Sequence, residues 1–316
     1  MKVLLQYRAS ARLQQRLRAA LPAWLQVVCV DATDPERLLH ELADTEVLLH
    51  VLQPVTRDLM ASAPQLRLIQ KVGVGVNTID LPEARRRNIL VANMPGSNSQ
   101  AVCEMALALM LAVLRKLLPF DAATRRGAGW ACAPEATDGV GEIGGKTVGL
   151  IGFGEVPRRL APVCSALGAR VVFHARTARP HAHPCAHALA LPDLLAQADI
   201  VSLHVPLTDE TRHTINAAAF AAMKPGAILI NTARGALVDE QALLHALCSG
   251  RLGGAGLDVF EQEPVAPDHA LLALPNVVVT PHLAWLTEET LQRSFAVAAE
   301  NCLRLRDGRA LVHPVN

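Results

Sequence analysis

The chain has 316 residues, 51% of them apolar and 19% charged, which excludes a disordered polypeptide and leaves room for about two packed domains. Lys and Arg number 30 against 29 Asp and Glu, so there is no electrostatic footprint for nucleic acid and no polybasic membrane patch. The longest apolar run, 105–114, falls well short of the roughly 20 residues that a membrane span needs. The opening MKVLLQYRAS loses its apolar character at once and reads as a first strand rather than a signal peptide. Seven cysteines, an odd number with no C-x-x-C pair, argue against a disulfide framework and point to a reducing cytoplasm.

In chain order, apolar runs at 3–7, 25–30, 47–52 and 66–71 predict strands. Helical patterns at 11–20, 35–43 and 56–62 fall between them, with Asp34 as N-cap before Pro35. A long helix is expected over 98–118, opened by a Ser97/Gln100 capping box and closed by Pro119. The Gly- and Ala-rich stretch 127–145, with Trp130, reads as a loop reaching toward an oligomer interface. From 146 a second alternating series begins, with strands at 146–151, 170–174, 200–205, 227–231, 254–258 and 277–280. Its helices fit at 155–167, 192–198, 217–223 and 240–249, and a last helix fits at 288–306. No repeat of solenoid or propeller period is present. Alternating strand and helix with short connections predicts an α/β fold: two doubly wound parallel sheets, Rossmann-like or flavodoxin-like.

Gly152-Phe153-Gly154 follows an apolar strand and opens a helix, the context in which glycines let a backbone approach a pyrophosphate at a helix N-terminus. The third glycine of that fingerprint is replaced by Pro157, tolerable in a first helical turn. About 20 residues on, an acid normally accepts hydrogen bonds from the ribose hydroxyls and repels a 2′-phosphate. Here that place holds Ala175, followed by Arg176, Thr177 and Arg179, with His174 and His181 nearby and no acid until Asp193. The pattern predicts NADP in preference to NAD, with binding of both cofactors as the plainer outcome if Arg176 merely stacks on the adenine.

Four blocks in the C-terminal half, VSLHVPLTDETRHTIN (201–216), MKPGAILINTARGALVDEQAL (223–243), GAGLDVFEQEP (254–264) and TPHLAWLTEE (280–289), resemble the D-isomer-specific 2-hydroxyacid dehydrogenases. KVGVGVNTID (71–80) and NMPGSNSQAVCEMALALMLA (93–112) resemble that family's substrate loop and interdomain helix. The resemblance implies a substrate domain, 1–97 completed by 283–316, split by an inserted dinucleotide-binding domain at 98–282. It implies a homodimer acting on a small 2-oxo or 2-hydroxy acid, with Arg234, Glu263 and His282 as the catalytic set. Those residue types suit the chemistry: an imidazole to exchange the hydroxyl proton, a carboxylate to hold it charged, and a guanidinium fork for the carboxylate. The cofactor is expected against Gly152, Phe153, Gly154, Glu155 and Val156, then Ala175, Arg176 and Thr177, then Val205, Pro206 and Thr211. Thr232, Ala233, Arg234, Asp258, His282 and Ala284 complete that set. Backbone amides of Val74, Gly75 and Val76 would join Arg234 at the substrate carboxylate, with Trp285 as an aromatic wall favouring an apolar substrate side chain.

Three positions depart from the family's pattern: Pro157, Asn77 where Asp is common, and Met105 where His is common. Taken singly, Arg234, Glu263 and His282 have plainer readings as a surface arginine, a turn acid and a buried histidine. Asp258 has one as a turn cap, and Trp285 one as ordinary packing. His181, His183, Cys185 and His187 alternate on a Pro-containing stretch, poor spacing for a tetrahedral site, so no metal is expected. The competing reading is a dinucleotide-sensing, corepressor-like binding protein on the same fold; formate dehydrogenase, a third relative, is disfavoured by an acid at 263.

Overall fold

A computed structural model describes residues 1–31, 33–176 and 184–316, and these form two compact units, 1–98 with 286–316 and 99–285. The return to the first unit comes three residues later than the expected 282/283 boundary. Two ties explain it. The Asp258 carboxylate accepts the Leu283 and Ala284 amides, and the Trp285 indole donates to the His282 carbonyl, so 283–285 stay with the second unit.

In the first unit the strands are β1 (Lys2–Gln6), β2 (Gln26–Val30), β3 (Val47–His50), β4 (Leu68–Lys71) and β5 (Leu90–Ala92). They alternate with α1 (Ala11–Ala20), α2 (Pro35–Leu42), α3 (Arg57–Ala61) and α4 (Leu81–Arg86). The sheet is parallel in the order β2-β1-β3-β4-β5, the flavodoxin-like order. Strands β1, β3 and β4 are buried throughout, as a parallel sheet covered on both faces requires. Asp34 caps α2 by accepting from the Arg37 amide at 3.1 Å, with Pro35 in the first turn. The sequence pattern missed α4 and β5, six and three residues long and too short for a period to show. The C-terminal helix, Glu288–Arg306, belongs to this unit, and its Asn301 amide donates to Gln70 Oε1 at 2.6 Å.

The second unit opens with α5 (Ser99–Leu114) and α6 (Leu117–Arg125), followed by β6 (Thr147–Ile151), α7 (Glu155–Ala166), β7 (Arg170–His174), β8 (Ala186–Ala188) and α8 (Leu191–Gln197). Next come β9 (Ile200–Leu203), α9 (Ala217–Ala222), β10 (Ala227–Asn231), α10 (Glu240–Cys248), β11 (Leu252–Leu257) and β12 (Val277–Val279). Its parallel sheet runs β12-β11-β10-β9-β6-β7-β8, the Rossmann order with one further strand, and the order reverses between β6 and β9.

The single helix expected at 98–118 is two helices. Lys116 adopts a left-handed conformation, φ 48°, and its ammonium donates to the Ala136 and Asp138 carbonyls, turning the chain before α6. Pro119 therefore lies in the first turn of α6 rather than after a helix. The Ser97 hydroxyl donates to the Met94 carbonyl, so the capping box does not form. The loop at 127–145 contains two short 3-10 turns, Gly129–Ala131 and Pro134–Thr137, and leaves Trp130 exposed. Helix α5 lies close on β11 because that strand carries glycines there: a Cβ at Gly256 would stand 2.8 Å from Leu109 Cβ, and one at Gly254 2.7 Å from Val113 Cγ1. Among the described residues no helix is long and apolar enough to cross a membrane.

Candidate active site

A parallel sheet offers a crevice at the carboxyl ends of its strands where the order reverses, and in the second unit Gly152 ends β6 at that point. Two glycines there serve different ends. Gly152 has φ 99°, and a Cβ on it would lie 2.5 Å from the His204 carbonyl oxygen at the end of β9, so the turn itself requires glycine. Gly154 has ordinary φ, −87°, and a Cβ on it would meet nothing within 4 Å. Its bareness serves nothing inside the protein and leaves space over the N-terminus of α7, where a phosphate is favoured.

Phe153 is buried and stacks on Phe173 with ring centroids 4.0 Å apart, while Glu155 is exposed and Val156 packs against the core. Pro157 is buried in the first turn of α7, and the helix forms despite it and despite Pro162 in its interior. Across the crevice, Thr232 is 8% exposed and its hydroxyl oxygen is buried with no protein partner. An orphaned buried hydroxyl and an open glycine at a helix N-terminus are the features a dinucleotide would complete.

After β7, Ala175 packs against the core and Arg176 is exposed; Thr177, Arg179, His181 and His183 lie outside the described residues. Glu210 comes near Arg176 from the loop after β9. A bond from the Thr208 hydroxyl, with a contribution from the Arg176 charge, holds its carboxyl below the usual range. Counting forward from Gly152 along the sequence does not reveal this acid. On the same loop the Thr211 hydroxyl donates to the Pro206 carbonyl at 2.7 Å and accepts from the Thr208 amide, so its hydrogen bonds shape the loop.

The charged cluster lies beyond the ends of β10, β11 and β12. Asn231 accepts from the Ala233 amide and donates to the Arg234 carbonyl at 2.8 Å, forming the turn that presents Arg234. Gly235 follows because a Cβ there would lie 1.8 Å from the Phe260 carbonyl carbon. Burial lowers the Arg234 pKa and the neighbouring Glu263 charge opposes that; a guanidinium keeps its charge in either case.

Asp258, 1% exposed, accepts from the Thr280 hydroxyl at 2.6 Å and from the Leu283 and Ala284 amides. Burial raises its carboxyl above the usual range in spite of those bonds. It fastens the end of β11 to the segment that carries His282, whose φ is 55°. His282 Nδ1 stands 2.6 Å from Glu263 Oε2, and Glu263 Oε1 accepts the Phe260 amide at 3.0 Å. Burial alone would raise Glu263, but His282, the Phe260 amide and Arg234 together hold its carboxyl below the usual range. With Nδ1 on a carboxylate, Nε2 is the ring nitrogen left for a reacting group. Trp285, 7% exposed, donates its indole N–H to the His282 carbonyl at 3.0 Å, a tie that its identity alone did not suggest.

In the first unit, the loop after β4 is folded by Met94 donating to the Gly73 carbonyl and Asn93 donating to the Val74 carbonyl. The amides of Val74, Gly75 and Val76 donate to no acceptor among the described residues. Three successive unspent amides suit an anionic group. Among the described residues no group of three or more His, Cys, Asp or Glu is placed to hold a metal ion.

Residues 107–284 match the profile described as D-isomer specific 2-hydroxyacid dehydrogenase, NAD binding domain. The chain is 40% identical over 288 residues to a glyoxylate reductase of Aeropyrum pernix, covering 89% of this chain and 86% of that protein. Its fold superposes on the TT0316 protein of Thermus thermophilus with TM-score 0.89 and 40% identity over the whole of both chains. It is also similar to the D-lactate dehydrogenase of Aquifex aeolicus complexed with NAD and lactic acid, with TM-score 0.83 and 29% identity over 98% of this chain and 96% of that one. The chain belongs to the D-isomer-specific 2-hydroxyacid dehydrogenase family.

Proposed function

We infer that this chain is an NAD(P)-dependent oxidoreductase of CH–OH donors that works as a reductase of small 2-oxo acids, glyoxylate first among them. The observation that carries the reading is the 2.6 Å pairing of His282 with Glu263 beside a half-buried, charged Arg234. When bound, a nicotinamide supplies the hydride that goes to C2 of the oxo acid. Arg234 holds the substrate carboxylate through its planar fork. His282 delivers a proton from Nε2 to the carbonyl oxygen and, in the reverse direction, takes the hydroxyl proton back. Glu263 orients the ring through Nδ1 and favours its charged form. Val74, Gly75 and Val76 offer amides suited to the same class of anion, and Trp285 lends the His282 segment an aromatic face. The sensor reading is not favoured, since the similar proteins reported above are reductases and dehydrogenases.

We assign the cofactor preference to NADP, because Ala175 leaves no acid at the end of β7 and Arg176 is exposed there. Seven free thiols suit a reducing cytoplasm, and the exposed Leu117, Leu118 and Trp130 support a homodimer. The test is steady-state reduction of glyoxylate with NADPH and with NADH. Turnover with kcat/KM higher for NADPH is expected. A higher value for NADH would end the NADP assignment, and no turnover across glyoxylate, hydroxypyruvate and a branched 2-oxo acid would end the enzyme reading. The double variant Ala175→Asp, Arg176→Ala is expected to swing the ratio toward NADH.

A further inference from the structure

The segment that presents Glu263 is held from behind by a second set of carboxylate–histidine pairs. Glu240 stands in the first turn of α10, where an acid ordinarily serves the helix's own unpaired amides. Asp239 already does that, accepting from the Ala242 amide at 3.0 Å. Glu240 reaches across instead: Oε1 accepts the Glu261 amide at 2.7 Å and Oε2 meets His269 Nε2 at 3.2 Å. Its side chain is only 13% exposed.

His269 packs edge-on against Phe260 with centroids 5.8 Å apart, and its Nδ1 is buried without a partner. The tautomer with hydrogen on Nε2 points its donor at Glu240 and leaves only an acceptor unpaired. His213, from the loop before α9, pairs with the carboxylate of Glu261. On the opposite side the Phe260 carbonyl lies against Gly235, where no Cβ fits. Residues 260–263 are therefore fixed at Phe260 by packing and at Glu261 by Glu240. The Phe260 amide passes that constraint to Glu263 Oε1. The charged groups facing Glu263 are His282 and Arg234; Glu240 faces His269 and, through Glu261, His213.

We propose that Glu240 is a positioning residue for the Glu263–His282 pair: by holding the Glu261 amide and His269 it sets where the Glu263 carboxylate stands against the ring. This rests on the reading of His282 as proton donor. Releasing the segment lengthens the Glu263–His282 bond, weakens the hold of the carboxylate on the imidazolium and lets the ring lose its proton at lower pH. Oxo-acid reduction needs the protonated ring, so the alkaline limb of kcat moves down.

The experiment is the pH dependence of kcat for glyoxylate reduction with NADPH, together with the NADPH Kd. Glu240→Ala is expected to lower kcat roughly tenfold or more through misplacement of the pair. Its alkaline limb should fall, with the NADPH Kd little changed. Glu240→Gln keeps an acceptor for the Glu261 amide but turns its NH2 toward the His269 donor, so kcat and the limb should fall between those of the alanine variant and the parent enzyme. A Glu240→Ala enzyme with unmoved limb, whether or not kcat falls, overturns the proposal, and so does a Gln variant as shifted as the Ala one. Where the alanine variant does not fold, Glu240→Asp, one methylene shorter, is read by the same criterion. Glu263→Gln, run alongside, removes the charge itself and should move the limb further. If that limb stays, the catalytic reading of the pair fails; if it moves while that of Glu240→Ala stays, only the positioning role fails.

Discussion

The ends of β3 and β4 and the ends of β10, β11 and β12 are the same kind of place in two parallel sheets, and both carry basic side chains. They use them differently. At the first, Lys71 donates to the Val51 carbonyl and His50 Nε2 stands 2.7 Å from the Gln53 carbonyl, so these polar atoms are spent on backbone. His50 is completely buried, and burial with the nearby Lys71 charge pushes its pKa to about 3, which keeps the ring neutral. At the second, Arg234 and His282 face a carboxylate that is held ionised. A backbone carbonyl can only accept a hydrogen bond, whereas a carboxylate also stabilises charge, so only the second place supports acid–base chemistry near neutral pH.

The sharpest way to break this contrast is His282→Ala. Its kcat for glyoxylate should fall roughly 10²–10⁴-fold, the usual share of general acid–base catalysis, with NADPH affinity nearly unchanged. Near-native turnover would remove His282 from the chemistry.

At the other place the expected effect is on stability. The unfolded His50 takes up a proton near pH 6.5 and the folded one only near pH 3, so the unfolded chain binds more protons between those values. Stability is therefore unaffected by His50 above about pH 6.5 and declines as pH falls below it. Urea unfolding between about pH 7 and about pH 5 should show a loss of about 2 kcal/mol from this group. His50→Gln should lack that loss and leave the pH profile of kcat unmoved; an equally steep decline in the variant would contradict a neutral buried ring.

A smaller effect separates the two glycines at the crevice. Gly154→Ala meets no protein atom, so its unfolding midpoint should hold while NADPH binding weakens roughly tenfold through lost contact with the phosphates. Unchanged binding would mean that the space over α7 is not used. The mildest change is Trp285→Phe, which deletes one hydrogen bond to the His282 carbonyl and keeps an aromatic ring there, a smaller one. A loss of about threefold in kcat is expected, within the net worth of about 1 kcal/mol for a neutral bond. A hundredfold loss would instead give the indole a direct part in the reaction.

Much of this architecture was legible beforehand because its signals are local. Apolar runs bounded by turn residues located most strands to within a residue or two, and Asp34 before Pro35 marked the start of α2. The motif blocks named Arg234, Glu263 and His282 although 48 positions separate the first from the last. What failed were features whose cause lies elsewhere in the chain. The break at Lys116 depends on the Ala136 and Asp138 carbonyls. Strand β8 is three residues with two exposed, and it exists because β7 offers an edge to pair with.

The amino-acid sequence by itself determined the alternating α/β pattern, the glycine turn after β6 and the residue types of the Arg234, Glu263 and His282 cluster, because periodicity and backbone conformation are properties of neighbouring residues. Only the tertiary structure decided that Glu210 stands by Arg176, that Asp258 and Trp285 brace the turn of His282, and that Glu240 and His269 hold the segment before Glu263. Those are relations between side chains distant in sequence. Burial and hydrogen bonding set their charge and geometry, and neither exists until the chain has folded.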